Sequence, residues 1–197
     1  MIAVLDYGAG NLRSVLNTLA EIGAHYKLVR EPAGVETASK IILPGVGHFG
    51  QMMRSLDAMG VRKILIDRIQ AGVPFLGICL GLQALFRASE EAPEVPGLAL
   101  IESTIWRFPN SVRVPHMGWN QLELIKPSRL LSGISQNSFV YFAHSYYAPV
   151  IGETVATCTY GVTYSAVIES GNIFGVQFHP EKSGVLGLEI VRNFVNW

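Results

Sequence analysis

The sequence lacks a long apolar run, an excess of charge of either sign, and more than two cysteines. Without a run of about 20 apolar residues, no segment reads as a helix that spans a bilayer. Fifteen Lys and Arg balance fifteen Asp and Glu, so there is no polyelectrolyte signal for nucleic acid and no basic tail for an anionic membrane. Cys79 and Cys158 lie far apart in dissimilar contexts and make no disulfide framework, which fits a reducing compartment. Met1-Ile2-Ala3-Val4-Leu5 runs straight into Asp6 with neither a basic start nor a cleavage site, and so reads as a strand. These absences lead to the expectation of a soluble cytoplasmic protein. A P-loop, internal repeats, low-complexity stretches and linkers are also missing. With 49% hydrophobic residues in a length of 197, the chain can bury a sizeable core as one domain, residues 1–197.

The first half alternates between two periodicities. Ile2–Leu5, Tyr26–Val29, Lys40–Leu43 and Pro74–Ile78 are short apolar runs bounded by Gly, Pro or polar residues, as in buried parallel strands. Leu12, Val15, Leu16, Leu19 and Ile22 recur at helical spacing, with Asn11 as an N-cap and Gly23 near the C-terminal end. Met52 to Gln70 carries a second helical pattern, interrupted at Gly60. From Leu98 to Phe178 the segments become short and rich in Val, Thr and Tyr, and Val185–Phe194 closes the chain as a helix. The expected fold is α/β: a mostly parallel open sheet with helices on both faces and a strand-rich second half.

Chemistry concentrates at two places. Gly77-Ile78-Cys79-Leu80-Gly81 follows an apolar run and precedes Leu82-Gln83-Ala84-Leu85-Phe86, which reads as a helix. A strand, a sharp turn carrying a nucleophile and a helix form a nucleophile elbow. The glycines permit the tight backbone, and N–H groups at the helix start favour a thiolate. Near the other end, His179-Pro180-Glu181 offers a base and proton carrier, with a carboxylate to fix its tautomer. Together these read as a cysteine-nucleophile acyl-transfer site. Cys158, in an alternating strand-like segment, reads as packing.

Metal and cofactor sites find little support. No second Cys or His stands at a ligand spacing from Cys79, His179 or Glu181, so no metal and no cofactor are expected. Gly45-Val46-Gly47-His48-Phe49-Gly50 fits Gly-x-Gly-x-x-Gly, but Pro44 enters the loop and no acidic residue ends a following strand about 20 residues on. Its backbone N–H groups could instead donate to an oxyanion beside Cys79.

Gly77–Gln83, Leu43-Pro44-Gly45-Val46-Gly47 and Gly175-Val176-Gln177-Phe178-His179-Pro180-Glu181 resemble the class I, triad-type glutamine amidotransferases, whose fold is flavodoxin-like. Asp6-Tyr7-Gly8-Ala9-Gly10-Asn11-Leu12-Arg13-Ser14, Pro115-His116-Met117-Gly118-Trp119-Asn120 and Tyr141-Phe142-Ala143-His144-Ser145-Tyr146 are similar to one branch of that family, the glutaminase subunits of imidazole glycerol phosphate synthase in histidine biosynthesis. The resemblance implies a glutaminase. Cys79 would form a γ-glutamyl thioester, His179 would carry protons and Glu181 would orient it. Leu80 and the loop Gly45, Val46 and Gly47 would supply the oxyanion hole. Gln83, Glu91, Ser145 and Tyr146 would hold the α-amino and α-carboxylate groups of glutamine. Tyr141, Met117, Gly118, Trp119, Asn120 and Lys182 would meet a cyclase subunit in a heterodimer that receives the ammonia. His48 stands where the family often has a small residue. Other readings are a glutaminase serving pyridoxal phosphate or anthranilate synthesis, a cysteine peptidase or deglycase on a related scaffold, and a non-catalytic module.

Overall fold

The computed structural model describes residues 1–8 and 11–197; Ala9 and Gly10, part of the first glycine stretch, lie outside the described residues. The first half alternates as the two periodicities predict: β1 (Ile2–Leu5), α1 (Leu12–Glu21), β2 (Tyr26–Val29), α2 (Pro32–Glu36), β3 (Lys40–Gly45), α3 (Phe49–Ala58), α4 (Val61–Gln70), β4 (Phe75–Cys79) and α5 (Leu80–Gln83). The second half is β5 (Phe86–Ser89), β6 (Ile101–Arg107), β7 (His116–Gln121), β8 (Glu123–Leu124), β9 (Phe139–His144), β10 (Tyr146–Tyr147), β11 (Thr154–Tyr160), β12 (Val162–Ser170) and β13 (Ile173–Val176). A 3-10 turn (Pro180–Lys182) and α6 (Gly184–Asn196) end it.

The main sheet has eight strands in the order β2-β1-β3-β4-β13-β12-β11-β8. β2, β1, β3, β4 and β13 run parallel, and β12, β11 and β8 extend the sheet antiparallel. Each central strand is buried on both faces, which is why β1, β3 and β4 read as unbroken apolar runs. Alternate residues feed two cores. Ala3, Leu5, Ile41, Leu43 and Phe75 pack under α2, α3 and α4, with Val35, Met52, Leu56 and Leu65. Ile2, Val4, Ile42, Leu76 and Ile78 pack under α1 and α6, with Leu19, Ile190 and Phe194. The strand order reverses at β1, and the carboxyl ends of β1, β3, β4 and β13 open onto one edge, the usual ligand edge of an open α/β sheet.

Two small sheets stand beside this edge. β7 and β9 form an antiparallel ribbon that pairs His116 with His144 and Trp119 with Tyr141, and β5, β6 and β10 form another sheet. Local reading erred at two helix ends. The pattern beginning at Met52 starts at Phe49, because His48 Nδ1 accepts the Gly50 N–H at 3.1 Å and caps α3. Asn11 precedes α1, but its side chain caps no backbone N–H and instead accepts from Ser14 Oγ at 2.9 Å. No helix among the described residues is long and apolar enough to cross a membrane.

Candidate active site

The end of β4 makes a sharp elbow. Cys79 sits at φ 54°, ψ −106°, a backbone region that L residues seldom occupy and that typically costs about 1–3 kcal/mol. Two close approaches explain the flanking glycines. A Cβ on Gly81 would lie 1.8 Å from the Leu43 carbonyl oxygen, and one on Gly77 would lie 2.4 Å from the Gly81 carbonyl oxygen. With α5 lying this tightly on β3 and β4, the sulfur projects at the ligand edge. The helix after Cys79 is shorter than its apolar pattern predicts, ending at Gln83, while Phe86 begins β5. The Leu98 N–H takes the Ala84 carbonyl at 2.7 Å, and those of Leu100 and Ile101 take the Leu85 carbonyl at 2.9 and 3.0 Å. The carbonyls that would carry the helix onward are thus captured by a distant segment, and a single turn contributes little helix dipole to a thiolate.

His179 follows β13 and enters the 3-10 turn, which brings Glu181 back to it. His179 Nδ1 lies 2.9 Å from Glu181 Oε1, and both side chains are 3% exposed. The carboxylate therefore holds the proton on Nδ1 and leaves Nε2 for the sulfur. Burial alone would push His179 down, but its coulombic and hydrogen-bond interactions with Cys79 and then with Glu181 raise it to about 10. On the other flank, Gln177 Nε2 donates to Cys79 Sγ at 3.6 Å.

Of the expected oxyanion donors, the Leu80 N–H opens α5 and has no partner within its own helix. The Val46 N–H points elsewhere, donating to Tyr7 Oη at 3.2 Å, while the same hydroxyl lies 3.3 Å from the Val46 carbonyl. Gly45 is a packing glycine, since a Cβ there would come within 2.7 Å of Leu80 Cβ and 2.9 Å of the Gly81 nitrogen. Gly47, at φ +98°, makes the turn that follows.

A cleft of about 180 Å³ opens above the sulfur and gathers Val46, Gly47, Cys79, Leu80, Gln83, Glu91, Met117, Ser145 and Tyr146. The four residues expected to hold glutamine come together here from three separate segments. Gln83 is 3% exposed, and its Nε2 donates to the Tyr146 carbonyl at 2.9 Å and to Gln177 Oε1 at 3.0 Å. Both amide hydrogens are committed, so Gln83 offers the cleft an acceptor, Oε1, which suits an ammonium group. Glu91 Oε2 accepts the Phe49 N–H at 2.7 Å. That contact also decides against a dinucleotide on the glycine-rich loop, because the start of α3, where a phosphate would sit, is filled by the protein's own carboxylate. Burial, then the charge of Glu91, raises the Tyr146 hydroxyl.

The β7–β9 ribbon carries the expected partner face. Met117 and Trp119 are 65% and 55% exposed, Trp119 meets Tyr141 edge-on at 6.1 Å between ring centroids, and Lys182 Nζ lies 5.6 Å from the Tyr141 centroid. Gly118 gives the ribbon its sharp backbone at φ +139°. Asn120 differs from its neighbours: its amide turns inward to the Thr159 carbonyl at 3.2 Å and to His116 Nε2 at 3.4 Å. Behind it His116 Nδ1 meets His144 Nε2 at 3.3 Å, and His144 Nδ1 bonds the Tyr146 carbonyl at 2.8 Å. Burial pushes His116 down to about 4 and His144 down to about 3, so both rings are neutral. Tyr7, Gln177 and this histidine pair escaped local reading because nothing near them in sequence indicates what they touch. Cys158 is fully buried, and burial pushes its thiol up to about 11. Among the described residues no group of three or more His, Cys, Asp or Glu could hold a metal ion.

The family model described as glutamine amidotransferase class-I matches residues 3–197. The imidazole glycerol phosphate synthase subunit HisH of Methanothermobacter thermautotrophicus is 50% identical over 196 residues, covering 99% of this chain and 98% of that protein. The protein of the same name from Methanosarcina acetivorans is 46% identical, covering 98% of this chain and 97% of its own. Among solved structures, a crystallised glutamine amidotransferase superposes with a TM-score of 0.79 at 22% identity, covering 99% of this chain and 97% of its own. A chain of the Thermotoga maritima PurLQS structure does so with a TM-score of 0.76 at 19% identity, covering 99% and 97%. At these identities the solved structures speak for the fold.

Proposed function

The chain belongs to the class-I glutamine amidotransferase family, and from that premise we propose that it is the glutaminase subunit of an imidazole glycerol phosphate synthase, acting in histidine biosynthesis as a single amidotransferase domain. The observation that carries this reading is the placing of Cys79 and a buried, carboxylate-oriented His179 under a cleft of amide and carboxylate groups, in a chain half identical to a HisH subunit along its whole length.

The chemistry follows from the geometry. The Cys79 thiolate attacks the carboxamide carbon of glutamine, and the carbonyl oxygen becomes an oxyanion. Backbone N–H groups of Leu80 and of the Gly45–Gly47 loop stabilise it. As the intermediate collapses, the C–N bond breaks and His179 Nε2 gives its proton to the departing nitrogen, leaving ammonia and a γ-glutamyl thioester. Neutral His179 then takes a proton from water. The resulting hydroxide adds to the thioester, and the C–S bond breaks to release glutamate and the thiolate. Gln83 Oε1 and Glu91 receive the α-ammonium, while Ser145 and Tyr146 lie on the carboxylate side.

Ammonia is a nucleophile only while unprotonated, so it needs a sheltered path to its acceptor. The acceptor site belongs to the cyclase partner, and the exposed apolar surface of Met117 and Trp119, with Gly118, Tyr141, Lys182 and the inward-anchored Asn120, supports docking there. Two free cysteines and no disulfide among the described residues fit the cytoplasmic setting that the proposal carries. The test is glutamate release from glutamine by the chain alone, with the cyclase, and with the cyclase plus its nucleotide ligand. A large rise only in the liganded complex is expected. Strong activity alone, or indifference to the cyclase, would overturn the partner and the pathway.

A further inference from the structure

We propose that Gln177 holds and supports the nucleophilic sulfur: its side-chain amide donates a hydrogen bond to Cys79 Sγ, and Gln83 locks the amide in that orientation. The inference rests on the reading of Cys79 as nucleophile and adds a residue to that site. Gln177 is fully buried just past the end of β13, next to the strand that carries Cys79. Its backbone is pinned there by a 2.9 Å bond from its N–H to the Ala166 carbonyl. A buried primary amide has two donor hydrogens and one acceptor oxygen to satisfy. The oxygen accepts from Gln83 Nε2 at 3.0 Å, and the nitrogen donates to Sγ at 3.6 Å, a hydrogen-bond distance given sulfur's larger radius.

The orientation is decided by the network. Gln83 Nε2 also donates to the Tyr146 carbonyl at 2.9 Å, so Gln83 must present its nitrogen to Gln177. Turning the Gln177 amide over would place nitrogen against nitrogen and set a carbonyl oxygen against the thiolate. Besides His179, the sulfur's other close polar neighbour is the Ala143 carbonyl at 4.0 Å, which a thiol can donate to but which repels a thiolate, so Gln177 is the fixed donor on that side. His179 supplies the mobile proton; Gln177 supplies a neutral donor that cannot be lost to the substrate and that fixes the sulfur's direction. Gln83 thus has two duties, a free oxygen at the cleft and a nitrogen that locks Gln177.

Gln177→Met keeps length and apolar volume and removes the donor. Hydrogen bonds to charged groups imply a fall in kcat for glutamine hydrolysis of roughly 10-fold to 100-fold in the partner complex. KM should change less than kcat, because the sulfur loses its donor while Gln83, though it loses the Gln177 oxygen, keeps its bond to the Tyr146 carbonyl. Alkylation of Cys79 by iodoacetamide in the chain alone should slow to a similar degree, with Cys79→Ser as the control that assigns the label. A folded Gln177→Met chain with unchanged kcat and alkylation rate overturns the inference. Glutaminase activity surviving in Cys79→Ser overturns instead the nucleophile reading beneath it. If Gln177→Met does not fold, the isotope-labelled natural chain decides. The Gln177 side-chain amide resonances should move when Cys79 is alkylated, while those of Asn172, committed to the Ile69 and Val73 carbonyls, stay in place. Immobile Gln177 resonances refute it.

Discussion

The Tyr7 hydroxyl occupies the Val46 N–H that an oxyanion hole would use, at 3.2 Å, and contacts the Val46 carbonyl at 3.3 Å. On the proposed reading this is the loop's resting arrangement, and the donor becomes available only once the Gly45–Val46 peptide turns. Tyr7→Phe removes the hydroxyl and little else. Tyr7 is 8% exposed, and burial holds its hydroxyl protonated. Without that oxygen the half-buried Val46 N–H loses its partner in the resting orientation, which costs up to about 1–3 kcal/mol. The turned orientation, facing the cleft, does not carry this cost. The equilibrium between the two shifts by the same amount, a factor of about 5 to 150. Glutamate release by the isolated Tyr7→Phe chain should therefore rise by about tenfold or more, up to the rate of the liganded complex, with the stimulation by the partner shrinking in proportion. The thermal midpoint should fall by only about 2–4 °C per kcal/mol lost. Unchanged or reduced basal turnover, accompanied by that stability loss, would show that Tyr7 is a structural prop and that the loop's orientation does not limit the rate.

Cys79→Ser should abolish glutamine-dependent synthesis in the complex yet leave synthesis from added ammonium salts; loss of both, followed in one product assay, would make Cys79 structural. Trp119→Ala should weaken partner affinity by about 2 kcal/mol or more, as for a central aromatic anchor. Its unfolding free energy should move by less than about 1 kcal/mol, because the exposed indole loses only the cross-strand contact with Tyr141; titration calorimetry beside urea unfolding separates the two. Acid should destabilise the chain through His116 and His144, whose folded values lie near 4 and 3. Unfolded, each ring takes a proton near pH 6.5, so the unfolded state binds more protons below that point. Stability should hold above about pH 6.5 and fall by about 1.4 kcal/mol per pH unit per ring as the pH drops toward the folded values. His116→Gln should flatten that slope in urea unfolding between pH 7 and pH 5, and an unchanged slope would count against the neutral pair.

What was legible in the sequence is what local chemistry dictates. Strands buried on both faces must be apolar throughout, so β1, β3 and β4 could be read directly. An elbow that brings α5 within van der Waals reach of β3 and β4 requires Gly77 and Gly81, so the position of Cys79 was visible from two glycines. His179 and Glu181 are two residues apart and meet across one turn, which is also local. Tertiary structure decided the rest, because those contacts join segments that carry no mark of each other. The length of α5 depends on Leu98, Leu100 and Ile101 taking the carbonyls of Ala84 and Leu85. The resting state of the candidate oxyanion loop depends on a hydroxyl 39 residues away. The inward turn of Asn120 depends on β11 and on a histidine whose charge burial has removed. Gln83 and Gln177 are 94 residues apart; only the fold, by setting β13 beside β4, makes one orient the other at the sulfur.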